Sequence, residues 1–438
     1  MDSKIFKTYD VRGIYPSQID EEAAYKTGRA FVSFLNAKEV VVGYDMRESS
    51  PSLYKELCRG ITDQGARVIS IGMCTTPMVS FLVASQKLDG GIMISASHNP
   101  GEYNAFKLIA KKAIQLSSET GIKEIKNLVE NNTFTAGKKG TVSEINILQK
   151  YLTHVAQHSK INKDLKIVID HGNGVGSITA MPFFENNPNV IHMYHEPDGT
   201  FPNHPADPHN IENLQDLQNK VRKTNADIGL FFDGDADRVL VVDENGDVIL
   251  ADLFLALLAQ EELKTKKGNV YFDLRFSKAV PTLVKELGGT PIMMRVGNPF
   301  YKEKMINEGG IIAGEFSGHI MFEENYGIDD GLFAAIKVLN ILSNGEKLSE
   351  LISPLKRFHG SEEINIKVDD VESVLESIRE QYTGEQIELD GVYVQYPNWW
   401  FNLRKSNTEP VVRLRLEADT KELLEEKRDE LVSAIQPK

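Results

Sequence analysis

Short, mostly apolar runs that break abruptly into small polar or acidic residues recur along this chain, with helical stretches between them. Glu39-Val-Val-Val-Gly43, Arg67-Val-Ile-Ser-Ile71 and Ile92-Met-Ile94 form a first group. Leu165-Lys-Ile-Val-Ile-Asp170 and Ala226-Asp-Ile-Gly-Leu-Phe-Phe232 form a second, and Asn269-Val-Tyr-Phe272, Pro291-Ile-Met-Met294 and Ile311-Ile-Ala313 a third. A brief apolar run without polar alternation reads as a buried strand, and buried strands alternating with helices read as βαβ units. The helical stretches include 20–36, a helix opening at Ser49-Ser50-Pro51 with Leu53, Leu57 and Ile61 on one face, 144–159, 251–263 and 278–287. A chain of 438 residues exceeds one core. The expected architecture is three successive doubly wound α/β domains, at 1–145, 146–248 and 249–357. From about Phe358 strands such as Glu363-Ile-Asn-Ile-Lys367 and Val411-Val-Arg-Leu-Arg-Leu416 mix with helices at 369–381 and 420–435, a smaller α+β domain at 358–438.

Ligands of open α/β sheets bind beyond the carboxyl ends of the strands, so the residues that follow each strand are the first candidates. Ile92-Met-Ile94 runs into Ser95-Ala-Ser-His-Asn-Pro100, which sets Ser97 at a sheet edge with His98 beside it and Lys107 a few residues on. Earlier, Tyr9-Asp-Val-Arg-Gly13 suits a turn that aims the Arg12 guanidinium inward. The strand ending at Phe232 delivers Asp233-Gly-Asp-Ala-Asp-Arg238 between two apolar strands. Three crowded carboxylates repel one another unless a hard divalent cation gathers them. An EF-hand reading places Glu244 at position twelve, but Arg238 stands where the loop needs glycine and the flanks are strands. With three carboxylates and no further carbonyl donors evident, Mg²⁺ completed by a phosphate oxygen fits better than calcium.

Two further segments carry chemistry. In Gly314-Glu-Phe-Ser-Gly-His319, Glu315, Ser317 and His319 fall at alternate positions and point one way in an extended stretch, a set suited to sugar hydroxyls. No Gly-x-Ser-x-Gly elbow accompanies them, which argues against a hydrolase triad. Arg404-Lys-Ser-Asn-Thr-Glu-Pro410 joins a guanidinium, hydroxyls, an amide and backbone N–H groups in one turn, an anion cradle. The glycine-rich His171-Gly-Asn-Gly-Val-Gly176 lacks the spacing of a dinucleotide or Walker loop and reads as a tight structural turn. His192, His195, His204 and His209 share a loop without zinc-ligand spacing and read as turn and packing residues, and Gly297-Asn298-Pro299 reads as a turn.

A net charge of −14 argues against nucleic acid or an anionic membrane as partner, so an anionic ligand needs locally gathered positive charge or a metal. No apolar run is long enough to span a bilayer, and Phe254–Ala259 reads as a buried helix face. Cys58 and Cys74 make no disulfide framework and the amino terminus lacks a signal-peptide core, which gives a cytoplasmic expectation.

These four motifs, in this order, resemble those of the α-D-phosphohexomutases along essentially the whole chain: a phosphoserine loop at 95–100 with Ser95 where Thr is common, a magnesium loop at 233–238, a sugar loop at 314–319 and a phosphate loop at 404–410. The resemblance implies four domains around a central cleft. It implies that phospho-Ser97 passes its phosphoryl group to O1 or O6 of a hexose monophosphate, through a hexose 1,6-bisphosphate that also serves as activator. Mg²⁺ would be held by Asp233, Asp235, Asp237 and the Ser97 phosphate. Arg12, Lys107 and Arg238 would hold or protonate reacting oxygens, with Tyr9 supporting Arg12. Glu315 and Ser317 would read sugar hydroxyls, and His319 would contact a hydroxyl or carry a proton. Arg404, Ser406, Asn407, Thr408 and Arg413 would bind the non-reacting phosphate. Gly-Glu-Phe-Ser-Gly-His is most similar to the phosphomannomutase/phosphoglucomutase branch, whereas phosphoglucosamine mutases usually carry Gln at the Phe316 position. Asn298 and Arg275 depart from the His and Lys frequent in the dual-specificity branch, at positions that could touch the sugar or its phosphate. Hexose phosphates are the expected partners, and the chain is expected to be a monomer or dimer.

Overall fold

The computed structural model describes residues 3–132, 134, 138–162, 164–208, 210–405 and 411–436. Four sheets follow one another along the chain. The first contains β1 (Val11–Ile14), β2 (Glu39–Tyr44), β3 (Arg67–Met73), β4 (Gly90–Ile94), β5 (Tyr103–Ala110) and β6 (Val142–Glu144), in the order β1-β5-β4-β2-β3-β6. On β2, Val40 and Val42 pack with Leu53, Leu57 and Ile61 of helix Ser50–Asp63, while Val41 packs with Met78, Val79 and Val83 of helix Thr76–Gln86. Both faces of the strand are therefore dry, which is why its sequence does not alternate.

The second sheet, β7 (Ile167–Asp170), β8 (Val190–Met193), β9 (Ile228–Phe232), β10 (Val239–Asp243) and β11 (Val248–Ile249), runs β11-β10-β9-β7-β8. The third, β12 (Asn269–Asp273), β13 (Thr290–Met294), β14 (Ile312–Gly314) and β15 (Ile320–Phe322), runs β13-β12-β14-β15. One device recurs in all three. A strand parallel to its inner neighbour (β4 on β2, β9 on β7, β14 on β12) turns back into an antiparallel partner (β5, β10, β15). The three reversals are residues 95–102, 233–238 and 315–319, the three loops singled out above.

The fourth sheet contains β16 (His359–Gly360), β17 (Ile364–Lys367), β18 (Glu385–Ile387), β19 (Val392–Gln395), β20 (Trp399–Lys405) and β21 (Val411–Ala418), and its pairs are antiparallel. Helices Val371–Gln381 and Lys421–Ile435 contribute Leu375, Ile378, Leu431 and Ile435 to its own core. The first three units share one apolar core that runs from Val41 and Met93 through Leu230 to Val270 and Leu339. The fourth meets the third through polar bonds, Lys278 N to Glu417 at 2.9 Å and Arg415 Nε to the Arg275 carbonyl at 2.8 Å, and a small apolar cluster of Leu274, Tyr393 and Trp400. Among the described residues, no helix is long and apolar enough to cross a membrane.

Several expectations are corrected. The helix expected at 144–159 is shorter, Leu148–Ala156, because Val142–Glu144 pairs with β3 as an edge strand. Gly297-Asn298-Pro299 opens helix Asn298–Glu308, with the proline in its first turn where a missing N–H costs nothing. His192 lies on β8, not in a loop, and its Nδ1 is 2.9 Å from His171 Nε2. His209 lies outside the described residues.

Helix Leu148–Ala156 joins the second and third units. The Tyr151 hydroxyl lies 2.9 Å from both oxygens of Asp330, whose carboxylate also caps helix Gly331–Leu342 through Phe333 N. Burial raises the Asp330 carboxyl to about 6. The folded protein holds that proton more tightly than the unfolded chain, so this group's contribution to stability falls as pH rises from about 4 to about 6, by roughly 2–3 kcal/mol. Asp330→Asn, which keeps a capping oxygen, is expected to remove that slope. Urea denaturation across pH should show the variant gaining on the parent as pH rises from about 4 to about 6, with the difference level above that.

Candidate active site

The loop after β4 is held from behind by a residue the sequence reading passed over. Arg47 follows β2 at the same sheet edge and is fully buried. Its Nη2 donates to the carbonyls of Ser97 (2.9 Å) and Asn99 (2.6 Å), and its Nη1 to those of Pro100 (2.6 Å) and Tyr103 (3.1 Å). Asp45 accepts from its Nε at 3.1 Å and so balances the buried charge. This cage holds Ser97 at φ 52°, a left-handed conformation that a non-glycine residue adopts at a cost. Ser95 adds a bond, its Oγ accepting from Ser97 N at 3.0 Å.

The Ser97 hydroxyl, 2% exposed at the residue level, is gripped from the second unit. It donates to Asp233 Oδ2 at 2.8 Å and accepts from Arg238 Nη2 at 2.5 Å. Arg238 also donates through Nε to Asp233 at 2.9 Å and reaches His98 Nδ1 at 2.6 Å. The approach is close enough to require glycine at 234, since a Cβ there would stand 2.3 Å from the Ser97 carbonyl oxygen. The turn at 171–176 serves the same joint: Val175 N donates to the Gly234 carbonyl at 3.0 Å. Its structural reading therefore agrees with the fold.

Asp233, Asp235 and Asp237 are buried, and one oxygen from each lies within 4.8 Å of the others. Lys107, projecting from β5, places Nζ 2.5 Å from both Asp235 and Asp237, and Thr76 donates to Asp235 at 2.5 Å. Burial raises the Asp233 carboxyl to about 6 despite Arg238. Burial also opposes the charge on Asp237, but Lys107 and His319 outweigh it and hold that carboxyl well below its usual range. Lys107 is itself raised, its carboxylate neighbours outweighing burial. Asp235 Oδ1 is buried with no hydrogen-bond partner among the described residues, while Asp237 Oδ1 is met at longer range by His319 Nε2 at 3.4 Å and Arg238 Nε at 3.6 Å. Three hard oxygen donors, one with an idle buried atom, fit a divalent cation of the Mg²⁺ type.

The third unit brings its loop to this cluster. Glu315, Ser317 and His319 do converge, but in a turn with Gly318 at φ 97° rather than in an extended stretch. Ser317 Oγ lies 2.8 Å from Glu315 Oε2 and 2.8 Å from His319 Nδ1. His319 Nδ1 is 2.9 Å from Glu315, and Nε2 is 3.4 Å from Asp237. Burial works against its charge, yet Asp237 and Glu315 raise the imidazole to about 9, so it is an imidazolium at neutral pH.

Around this centre, Arg12 lies on β1 rather than in a turn and pairs with Asp10 and Asn99. The Tyr9 hydroxyl hydrogen bond goes to the Val296 carbonyl at 3.0 Å instead of Arg12, and its ring meets Phe300 edge-on, tying the first unit to the third. Asn298 donates to Asp329, which also pairs with the buried Lys302. Arg275 is clamped by Asp273 at 2.8 and 2.7 Å and lies over the Phe316 ring at 4.6 Å. In the fourth unit, Arg404 and Arg413 flank Glu363 at 3.1 and 3.2 Å. Ser406, Asn407 and Thr408 lie outside the described residues.

The chain matches, in order, the models for phosphoglucomutase/phosphomannomutase alpha/beta/alpha domain I (residues 3–136), domain II (149–246), domain III (245–358) and the C-terminal domain (363–434). It is similar to the phosphomannomutase/phosphoglucomutase of Pseudomonas aeruginosa, 39% identical over 97% of this chain and 93% of that one. The phosphoglucomutase of Neisseria gonorrhoeae is 38% identical over 99% and 96%, and the phosphomannomutase of Methanocaldococcus jannaschii 37% identical over 99% and 98%. A phosphoglucomutase/phosphomannomutase family protein from Burkholderia thailandensis superposes with a TM-score of 0.93 at 32% identity, covering 100% of this chain and 98% of that one. Four sheets in this order, with loops converging on one buried hydroxyl and matched by all four models, belong to a single architecture: the chain is a member of the phosphoglucomutase/phosphomannomutase family, a phosphohexomutase.

Proposed function

We propose that this phosphohexomutase is a phosphomannomutase that interconverts mannose 1-phosphate and mannose 6-phosphate and also accepts glucose phosphates, with domains divided near 145, 248 and 357. The observation that carries the assignment of roles is the Ser97 hydroxyl, shared between Asp233 and Arg238 behind a closed backbone cage. Phosphorylated at Oγ, Ser97 donates its phosphoryl group to the free O1 or O6 of a bound hexose monophosphate. The Oγ–P bond breaks, the new O–P bond forms, and the proton lost by the sugar hydroxyl ends on the leaving Ser97 Oγ. The resulting 1,6-bisphosphate turns over in the cleft and returns its other phosphate to Ser97.

Arg238, Lys107 and Arg12 hold the oxygens between which charge moves, in a buried setting where such contacts act strongly. A divalent cation on Asp233, Asp235 and Asp237 would neutralise phosphoryl oxygens and polarise the Oγ–P bond. His319, held as imidazolium and joined to Glu315, is placed to donate a proton to the sugar oxygen when that oxygen is the leaving group, while Glu315 and Ser317 select hydroxyl geometry. Arg404, Arg413 and the 406–408 segment bind the distal phosphate. A sugar-phosphate hydrolase is the alternative from a different class, since the same phosphoserine and cation would give net hydrolysis if the cleft admitted water to the phosphorus.

The test compares kcat/KM for mannose 1-phosphate and glucose 1-phosphate with Mg²⁺ and a trace of glucose 1,6-bisphosphate. The expected result is turnover of both with mannose ahead. Glucose clearly ahead would make this a phosphoglucomutase, turnover of glucosamine phosphate alone would move it to that branch, and net phosphate release would favour the hydrolase.

A further inference from the structure

Glu363 is a half-buried acid that the mechanism above does not use. It immediately precedes β17, and its carboxylate is set among three guanidinium groups: Arg404 Nη2 at 3.1 Å, Arg413 Nη1 at 3.2 Å and Arg275 Nη1 at 3.6 Å. Arg275 already has a bidentate partner in Asp273 and does not depend on Glu363. Arg404 and Arg413 do, since each directs an Nη group at one of its two oxygens. A carboxylate and a phosphate present the same paired oxygens to a guanidinium, so Glu363 holds the position an incoming phosphate oxygen would take.

Two further observations bear on this. The Nε atoms of Arg404 and Arg413 are buried without a hydrogen-bond partner among the described residues, so the cradle has donor capacity that a carboxylate leaves idle. The backbone just before Glu363 is pinned, with the Ser361 carbonyl accepting from Arg415 Nη1 at 2.6 Å and Ser361 Oγ accepting from Leu416 N at 3.1 Å. A rotation of the Glu363 side chain, which is 19% exposed, would leave its strand registered on β21.

We propose that Glu363 is an internal exchange partner for the substrate's non-reacting phosphate. Its carboxylate occupies the Arg404–Arg413 cradle when phosphate is absent and competes with phosphate when it is present. Resting on the proposed function, this addresses a need particular to a mutase: the bisphosphate must let go of the distal cradle midway and re-enter it by its other phosphate. A carboxylate that returns to the arginines keeps buried cations from being stranded during that turn, and so speeds release at the expense of affinity.

The test uses inorganic phosphate as probe, by titration calorimetry on the full-length protein, alongside steady-state kinetics. Glu363→Gln is expected to tighten phosphate binding by roughly ten-fold, the scale of removing one nearby like charge, and to lower KM and kcat together. Glu363→Asp, which keeps the charge but withdraws it by one methylene, is expected to tighten binding by a smaller factor and guards against a Gln variant that does not fold. Weaker or unchanged phosphate binding in whichever variant folds overturns the exchange role and makes Glu363 a support for the arginines. Arg404→Gln separates this from the wider reading: loss of phosphate binding is expected in both the parent and Glu363→Gln backgrounds, and its persistence would overturn the cradle itself.

Discussion

Ser97→Ala is expected to lower mutase turnover by roughly 10⁴-fold or more, the scale on which removal of a nucleophile acts in a covalent mechanism. No other described hydroxyl stands between Asp233 and Arg238, so no neighbour can inherit the phosphoryl group. The variant should still fold. Arg238 keeps its direct bond to Asp233 at 2.9 Å, which leaves no buried charge without a partner. Alanine meets much the same backbone cost as serine at φ 52°, and the Arg47 cage binds carbonyl oxygens that the substitution leaves in place. A melting temperature near the parent's, with no phosphoprotein after incubation with hexose 1,6-bisphosphate, is the combined expectation. Parent-like turnover in Ser97→Ala would remove this residue from the chemistry. Ser95→Ala is the control: it loses a bond to the Ser97 amide and should slow the reaction without abolishing it.

What the sequence made legible follows from where the chemistry sits. Each of the three loops reverses the chain between two strands with buried residues, so apolar runs frame it on both sides and its polar residues stand out against them. The Asp233-to-Arg238 loop is the clearest case, six residues between Phe232 and Val239. Arg47 was legible by the same rule, since it follows β2 at the edge that carries Ser97, but a lone Asp-x-Arg has no repeated pattern to mark it. Glu363, Asp329 and Lys302 were hidden for a different reason. Their importance lies in partners tens of residues away along the chain, and charge pairing over such separations leaves no periodic trace in sequence. Tyr9 shows the same limit: the family resemblance implied that it supports Arg12, yet its hydroxyl crosses to Val296. The 315–319 triplet converged for a reason other than its period of two, because Gly318 folds the segment into a turn.

Asp235→Asn is expected to carry the second-largest loss. In the present arrangement Asp235 Oδ2 accepts from both Lys107 and Thr76, while its Oδ1 is buried and unbonded among the described residues. The idle oxygen is the atom best placed to meet a cation, and the amide replacement removes one negative charge from a set of three. Turnover at limiting Mg²⁺ should fall by roughly 10²–10³-fold, the scale on which loss of one preorganised electrostatic partner acts. Part of that loss should be recovered at high Mg²⁺, because the two remaining carboxylates still offer oxygen ligands. Without added cation, the variant should melt close to the parent: Lys107 keeps Asp237 at 2.5 Å, and removing one of three crowded carboxylates relieves repulsion. The discriminating measurement is therefore the rise in melting temperature on adding Mg²⁺, which binding to the folded state alone produces by mass action. That rise should shrink sharply in Asp235→Asn. An unchanged rise together with parent-like turnover would show that the three aspartates serve to pair Lys107 and Arg238 rather than to hold a metal.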